Sequence, residues 1–282
     1  MEQTGRLDRH GIEAGAIDIA RVSHRTFAAV LIGLGVIGLI KGDFAPGWQP
    51  VPESIPARQA LVYLCAFICL ACGVGLFLRS TAALASRVLF AYLLLWLLLL
   101  RVPWMFVSFG VNTWWAASST AVITTGSWLV YSSLAGEWDR QHFGFLIGSR
   151  GLPIARMLFG LALIPFGLAH FLYLDATAPV VPAWLPWHVF WAYFTGSTFI
   201  AAGIAVLIGI YARLAACLAT LQIGLFTLLI WVPLALAGCL SAFQWNEFVV
   251  SIVLAASAWV VADSYRVTPW FAVVRNTQQE RA

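Results

Sequence analysis

Few side chains in this sequence can carry chemistry, and most of those stand where long apolar runs begin or end. Lys41, Arg101 and His170 close three such runs, and His188, Asn246 and Glu247 open others. An ionisable group at the centre of a membrane helix costs about 2.5–3.5 kcal/mol, so each needs a reason. At a rise of about 1.5 Å per residue, His170 lies about 6 Å inside Leu174 and Glu247 about 4.5 Å inside Gln244. At such similar depths the two could share one polar chamber, with His170 and Glu247 at its floor. There they could hold a quinone carbonyl or hydroxyl, or relay a proton to it. The competing reading is that both are solvated at the interface, or only pin helices together.

The five cysteines offer a second possibility. Cys65, Cys69 and Cys72 fall at i, i+4 and i+7, one stripe of a helix, and Cys69–Cys72 has the C-x-x-C spacing of redox pairs. No basic neighbour stands there to favour a thiolate, and Ala66, Ala71 and Gly73 alternate with the stripe. These cysteines are therefore read as small packing residues of a helix seam. That helix offers no His or carboxylate as a metal partner, and no metal site is expected. The sequence contains no G-x-x-x-x-G-K-[ST] phosphate loop, no G-x-G-x-x-G after a strand and no H-E-x-x-H. No self-sufficient catalytic motif is present, so whether the chain is an enzyme stays open.

The elements that must position these residues follow from composition. Of 282 residues 61% are apolar and 10% charged, far below the roughly 25% charge of soluble domains. A net charge of +4 leaves no nucleic-acid footprint. The 14 Trp and 19 Phe exclude a disordered chain. The partner implied is the lipid bilayer. Eight stretches approach the ~20 apolar residues that cross it: 27–44, 60–79, 82–102, 113–134, 153–174, 188–210, 213–234 and 245–264. Their continuous apolar character excludes barrel strands, which alternate. Residues 1–26 mix acids and bases and lack the apolar core of a signal peptide, so they read as a cytoplasmic segment. With both termini in the cytoplasm, 13 Lys and Arg fall inside and three outside, in keeping with the positive-inside rule.

Self-comparison divides the chain. At a shift of 130, Val51-Pro52, Pro56 and Tyr63 fall on Val181-Pro182, Pro186 and Tyr193. In the same register Gly73 meets Gly203, Val102-Pro103 meets Val232-Pro233 and Trp115 meets Trp245, whereas Glu247 meets Ala117. With a one-residue slip, Gly38 meets Gly167 and Lys41 meets His170. The expected fold is all-α: eight transmembrane helices as two parallel four-helix repeats. The units cover 27–134 and 153–265, with a cytoplasmic linker at 135–152 and a tail at 266–282.

Each unit resembles the DoxX-like group of four-helix bacterial membrane proteins. The second carries its pattern in Gly160, Gly167 and His170, then Val181-Pro182 and Pro186, then Gly196, Gly203, Gly209 and Arg213. The first carries it in Gly33, Gly35, Gly38 and Lys41, then Val51-Pro52 and Pro56. The resemblance implies a protein of the bacterial inner membrane, similar to the membrane subunit of a thiosulfate–quinone oxidoreductase and to subunits linked to thiol or oxidative-stress chemistry. It implies an accessory subunit that handles a quinone or another small lipophilic ligand, beside a redox partner subunit. A small-molecule transporter or permease suits the same duplicated bundle, as does a membrane anchor for a partner protein.

Overall fold

A computed structural model describes residues 4–44, 49, 51, 54–108 and 110–273, with residues 4–21 described by their backbone alone. Among them seven helices are long and apolar enough to cross a membrane. The first span, Val22–Lys41, is the end of a 38-residue helix α1 (Thr4–Lys41), so the mixed-charge N-terminal stretch continues the helix rather than preceding it. The others are α2 (Arg58–Phe77), α3 (Ala82–Val107), α6 (Gly148–Leu172), α7 (His188–Ile208), α8 (Ala212–Leu236) and α9 (Ala242–Ser264). A further long helix, α4 (Val111–Leu134), and a short one, α5 (Glu137–Phe143), lie between α3 and α6.

Helix α4 is the most enclosed element, and its composition follows from that. Every residue from Ala117 to Tyr131 is buried. It touches α3, α6 and α9, so its polar residues between Ala117 and Tyr131 are enclosed by protein. Thr124, Thr125 and Ser127 donate to Thr120 O (2.7 Å), Ala121 O (2.8 Å) and Thr124 O (2.8 Å), which leaves their hydroxyls satisfied in a dry interior. Those hydroxyls are why α4 is less apolar than the seven spans. Neighbouring helices then close a ring: α1–α2–α3–α4–α6–α7–α8–α9 and back to α1, with α4 against α9 across its middle.

Two helix pairs pack alike through small residues. A Cβ on Gly35 of α1 would stand 2.6 Å from Leu70 N and 2.7 Å from Ala66 O of α2. One on Gly167 of α6 would stand 2.5 Å from Gly196 O and 3.1 Å from Ile200 N of α7. Likewise Gly73 approaches Ala28 O and Ile32, as Gly203 approaches Gly160 O and Ile164. These contacts set α1 on α6 at an offset of 132, which corrects the 129 expected from sequence. Gly38, against Ala66, holds the position of His170, against Gly196; Lys41 does not. Further features recur at 130. Ala57 and Trp187 precede α2 and α7 with φ of 56° and 59°, a left-handed conformation unusual for residues other than glycine. Both α3 and α8 widen into a π-turn, Trp96–Arg101 and Thr227–Trp231, just before Val102-Pro103 and Val232-Pro233. The wider turn accommodates a proline that cannot donate into an α-helical ladder.

The segment between α4 and α6 is fastened to the bundle. Asp139 of α5 is fully buried; it pairs with Arg87 Nε at 2.6 Å and accepts from Tyr131 Oη and Gly136 N, both at 3.0 Å. Arg87 also covers the Trp138 ring at 4.3 Å. Past α9, the chain returns to the α7–α8 turn, where Arg213 covers Trp270 at 3.9 Å and donates to Thr268 O.

Candidate functional site

A cavity of about 240 Å³ opens at the end of the bundle where α1 stops and α2 and α9 start. Small residues create it. Gly38 of α1 and Cys65, Ala66 and Cys69 of α2 leave space between backbones, and Leu34, Ile37, Val62 and Val249 supply an apolar wall. Its polar rim is Lys41, Asp43, Gln49, Trp245 and Asn246. Chain order explains the mixture: Lys41, Asp43, Trp245 and Asn246 lie in or beside helix termini and Gln49 in the α1–α2 loop, while the wall comes from within the helices.

The rim is rich in donors. Lys41 Nζ stands 5.1 Å from the centroid of the Trp245 ring. Among the described residues the buried Trp245 indole N–H has no hydrogen-bond partner, which costs about 1–3 kcal/mol for a donor left unsatisfied. Asp43, the one acid among the described rim residues, is engaged: it pairs with Arg58 at 2.7 Å and accepts from Phe44 N, also at 2.7 Å. The Arg58 hydrogen bond holds its carboxyl below the usual carboxylate range. Gln49 donates to Tyr92 Oη at 2.7 Å, and that hydroxyl lies beside the Cys65 and Cys69 thiols. An ammonium offers only donors, an indole N–H likewise, and an amide offers both. The fitting guest presents acceptor oxygens to the rim and an apolar body to the wall.

Of the residues singled out from sequence, the structure brings Lys41 and Asn246 together on this cavity. The rest are elsewhere. His170 packs its ring against Phe199 (centroids 5.6 Å apart) and Phe226 (5.9 Å), with Nδ1 2.7 Å from Phe166 O. Glu247 is half-buried, and among the described residues no hydrogen bond or ion pair joins it to His170. Ser251, one turn further along α9, bonds Thr227 at 2.6 Å. Arg101 is buried within the α3 π-turn and donates to Thr120 Oγ1 at 3.3 Å. His188 is the first residue of α7.

Sequence reasoning missed Gln49 and Trp245 as rim groups, and it read Cys65 and Cys69 as seam filler. Cys72 is buried and stands outside the lining. Trp245 carried a usable signal: it opens a span directly before Asn246, but the belt of tryptophans at helix ends masked it. Among the described residues no group of three or more His, Cys, Asp or Glu could hold a metal ion. Comparison with protein-family models, curated proteins and solved structures finds no match.

Proposed function

We propose that the chain is a DoxX-like protein of the bacterial inner membrane, an accessory subunit of a redox system whose α1–α2–α9 cavity binds a quinone-type ligand. The observation that carries this reading is the donor-bearing rim of Lys41, Gln49 and Asn246 above an apolar wall. A quinone supplies what that arrangement lacks: carbonyl oxygens that accept hydrogen bonds on a flat apolar ring. Lys41 and Asn246 would bind and orient one carbonyl. Added negative charge on a reduced quinone would be stabilised by Lys41. The quinone supplies the redox chemistry, and the residues named here hold it and exclude water.

The membrane arrangement completes the proposal. The chain spans the bilayer eight times, as two parallel four-helix units in tandem, with α4 as the sheltered eighth span. The matching glycine contacts, left-handed residues and π-turns support the duplication. Both termini and the 135–152 linker lie in the cytoplasm, which sets the cavity at the outer face. Reporter tags at Met1, Trp138 and Ala282 are expected to read cytoplasmic, and one at Val51 external. An external tag at Trp138 would contradict both the orientation and the parallel repeat.

Binding is tested with decylubiquinone and the purified chain, followed by quenching of tryptophan fluorescence. Lys41→Met and Asn246→Ala should each weaken binding about tenfold, the loss of one charge-assisted or buried hydrogen bond. His188→Gln should not. Equal affinity in all four proteins would overturn the assignment of the cavity.

A further inference from the structure

The tandem register compares the cavity with its counterpart between α6 and α7. Leu34 and Gly38 of α1 correspond to Phe166 and His170 of α6, and Cys69 of α2 to Phe199 of α7. Leu34, Gly38 and Cys69 all line the cavity. Their three counterparts are rings in mutual contact: Phe166 and Phe199 have centroids 6.0 Å apart, and His170 and Phe199 5.6 Å. Phe226 of the α8 π-turn closes this cluster, 5.9 Å from His170 and 6.1 Å from Phe199. Room for His170 comes from Gly196, whose Cβ would stand 2.8 Å from that of His170; at the corresponding position α2 carries Ala66, and the glycine, Gly38, is on α1.

We infer that the cavity is a socket for a single planar six-membered ring, open between α1 and α2 because Leu34, Gly38 and Cys69 leave unfilled the volume that Phe166, His170 and Phe199 fill between α6 and α7. Interiors pack close to crystal density, so a void of this size beside a filled copy of itself marks a place for a guest. The guest is a monocyclic quinone or phenol, one per chain, whose ring stands where the other pair holds Phe199. Cys69 is the residue that determines this specificity, because a ring at that position substitutes for the guest. The inference rests on the quinone reading for the ligand's class, while the socket follows from the packing.

The test uses the full chain in lipid nanodiscs and two probes. Decylubiquinone carries ring and tail, whereas 4-fluorophenol, followed by fluorine NMR, carries the ring alone. Wild type should bind each once per chain. Cys69→Phe should weaken both about tenfold or more at a folded yield matched to wild type. Leu34→Phe, which fills the socket from the opposite wall, should do the same and carries the test if Cys69→Phe does not accumulate. Wild-type affinity in either filled variant overturns the socket and leaves the quinone reading standing if decylubiquinone still binds. If 4-fluorophenol binds and decylubiquinone does not, the socket stands and the quinone reading falls. If neither probe binds wild type, both fall.

Discussion

Replacing Gly167 by valine should prevent the chain from accumulating as a folded protein, at a cost of about 3 kcal/mol or more. The Cβ alone would stand 2.5 Å from Gly196 O and 2.5 Å from Ile200 Cγ1, and 3.1 Å from Ile200 N, so two of its three nearest neighbours are backbone atoms. Neither can yield without separating α6 from α7. In lipid no hydrophobic force holds those helices together; close approach of their backbones does, so the loss falls on the dominant attraction. Gly33 provides the internal control. Among the described residues a Cβ there meets nothing within 4 Å, and Gly33→Ala should be neutral or gain up to about 1 kcal/mol of helix propensity. Folded yield and thermal midpoint in detergent distinguish the two. A Gly167→Val protein as stable as wild type would mean that α6 and α7 do not meet there.

The second large effect is expected at Asp139, the acid that fastens the linker. Burial alone would raise its pKa, but hydrogen bonds from Arg87, the Gly136 N–H and Tyr131 outweigh that and hold it below the usual range. A depressed folded-state pKa means stability that is fully present above the unfolded value, about pH 4, and lost as pH falls through the folded one. The thermal midpoint should therefore fall on acidification below about pH 4. Asp139→Asn keeps the shape and removes the charge, leaving Arg87 beside Trp138 without its partner. The expected cost is about 3 kcal/mol, together with a flatter acid limb. Arg87→Gln should add little to Asp139→Asn, as partners of one pair do. A variant with the wild-type acid limb would show that another group governs it.

How far the sequence discloses this molecule varies from part to part. Long apolar runs fix the seven spans to within a few residues, and Val-Pro pairs mark the ends of α3 and α8 because proline needs a special turn. The α1–α6 register was misjudged because glycines at 33, 35 and 38 offer several alignments. The contacts of Gly35 with Ala66 O and Leu70 N, and of Gly73 with Ala28 O and Ile32, choose among them. Lys41 and Asn246 were legible as polar residues in apolar surroundings. His170 was legible in the same way, yet its ring packs on Phe199 and Phe226. The cavity itself left no linear trace, because it is an absence shared by α1, α2 and α9. A cysteine stripe looks the same in sequence whether the facing residue fills the seam or, like Gly38, leaves it open.

Whether the α1–α2–α9 cavity holds a single-ring quinone-type ligand is decided by native mass spectrometry of the chain released from its own membranes. One such molecule per wild-type chain should be retained through purification and be missing from Cys69→Phe at matched yield. Wild-type chains carrying only phospholipid, or the same quinone retained by Cys69→Phe, would contradict that assignment.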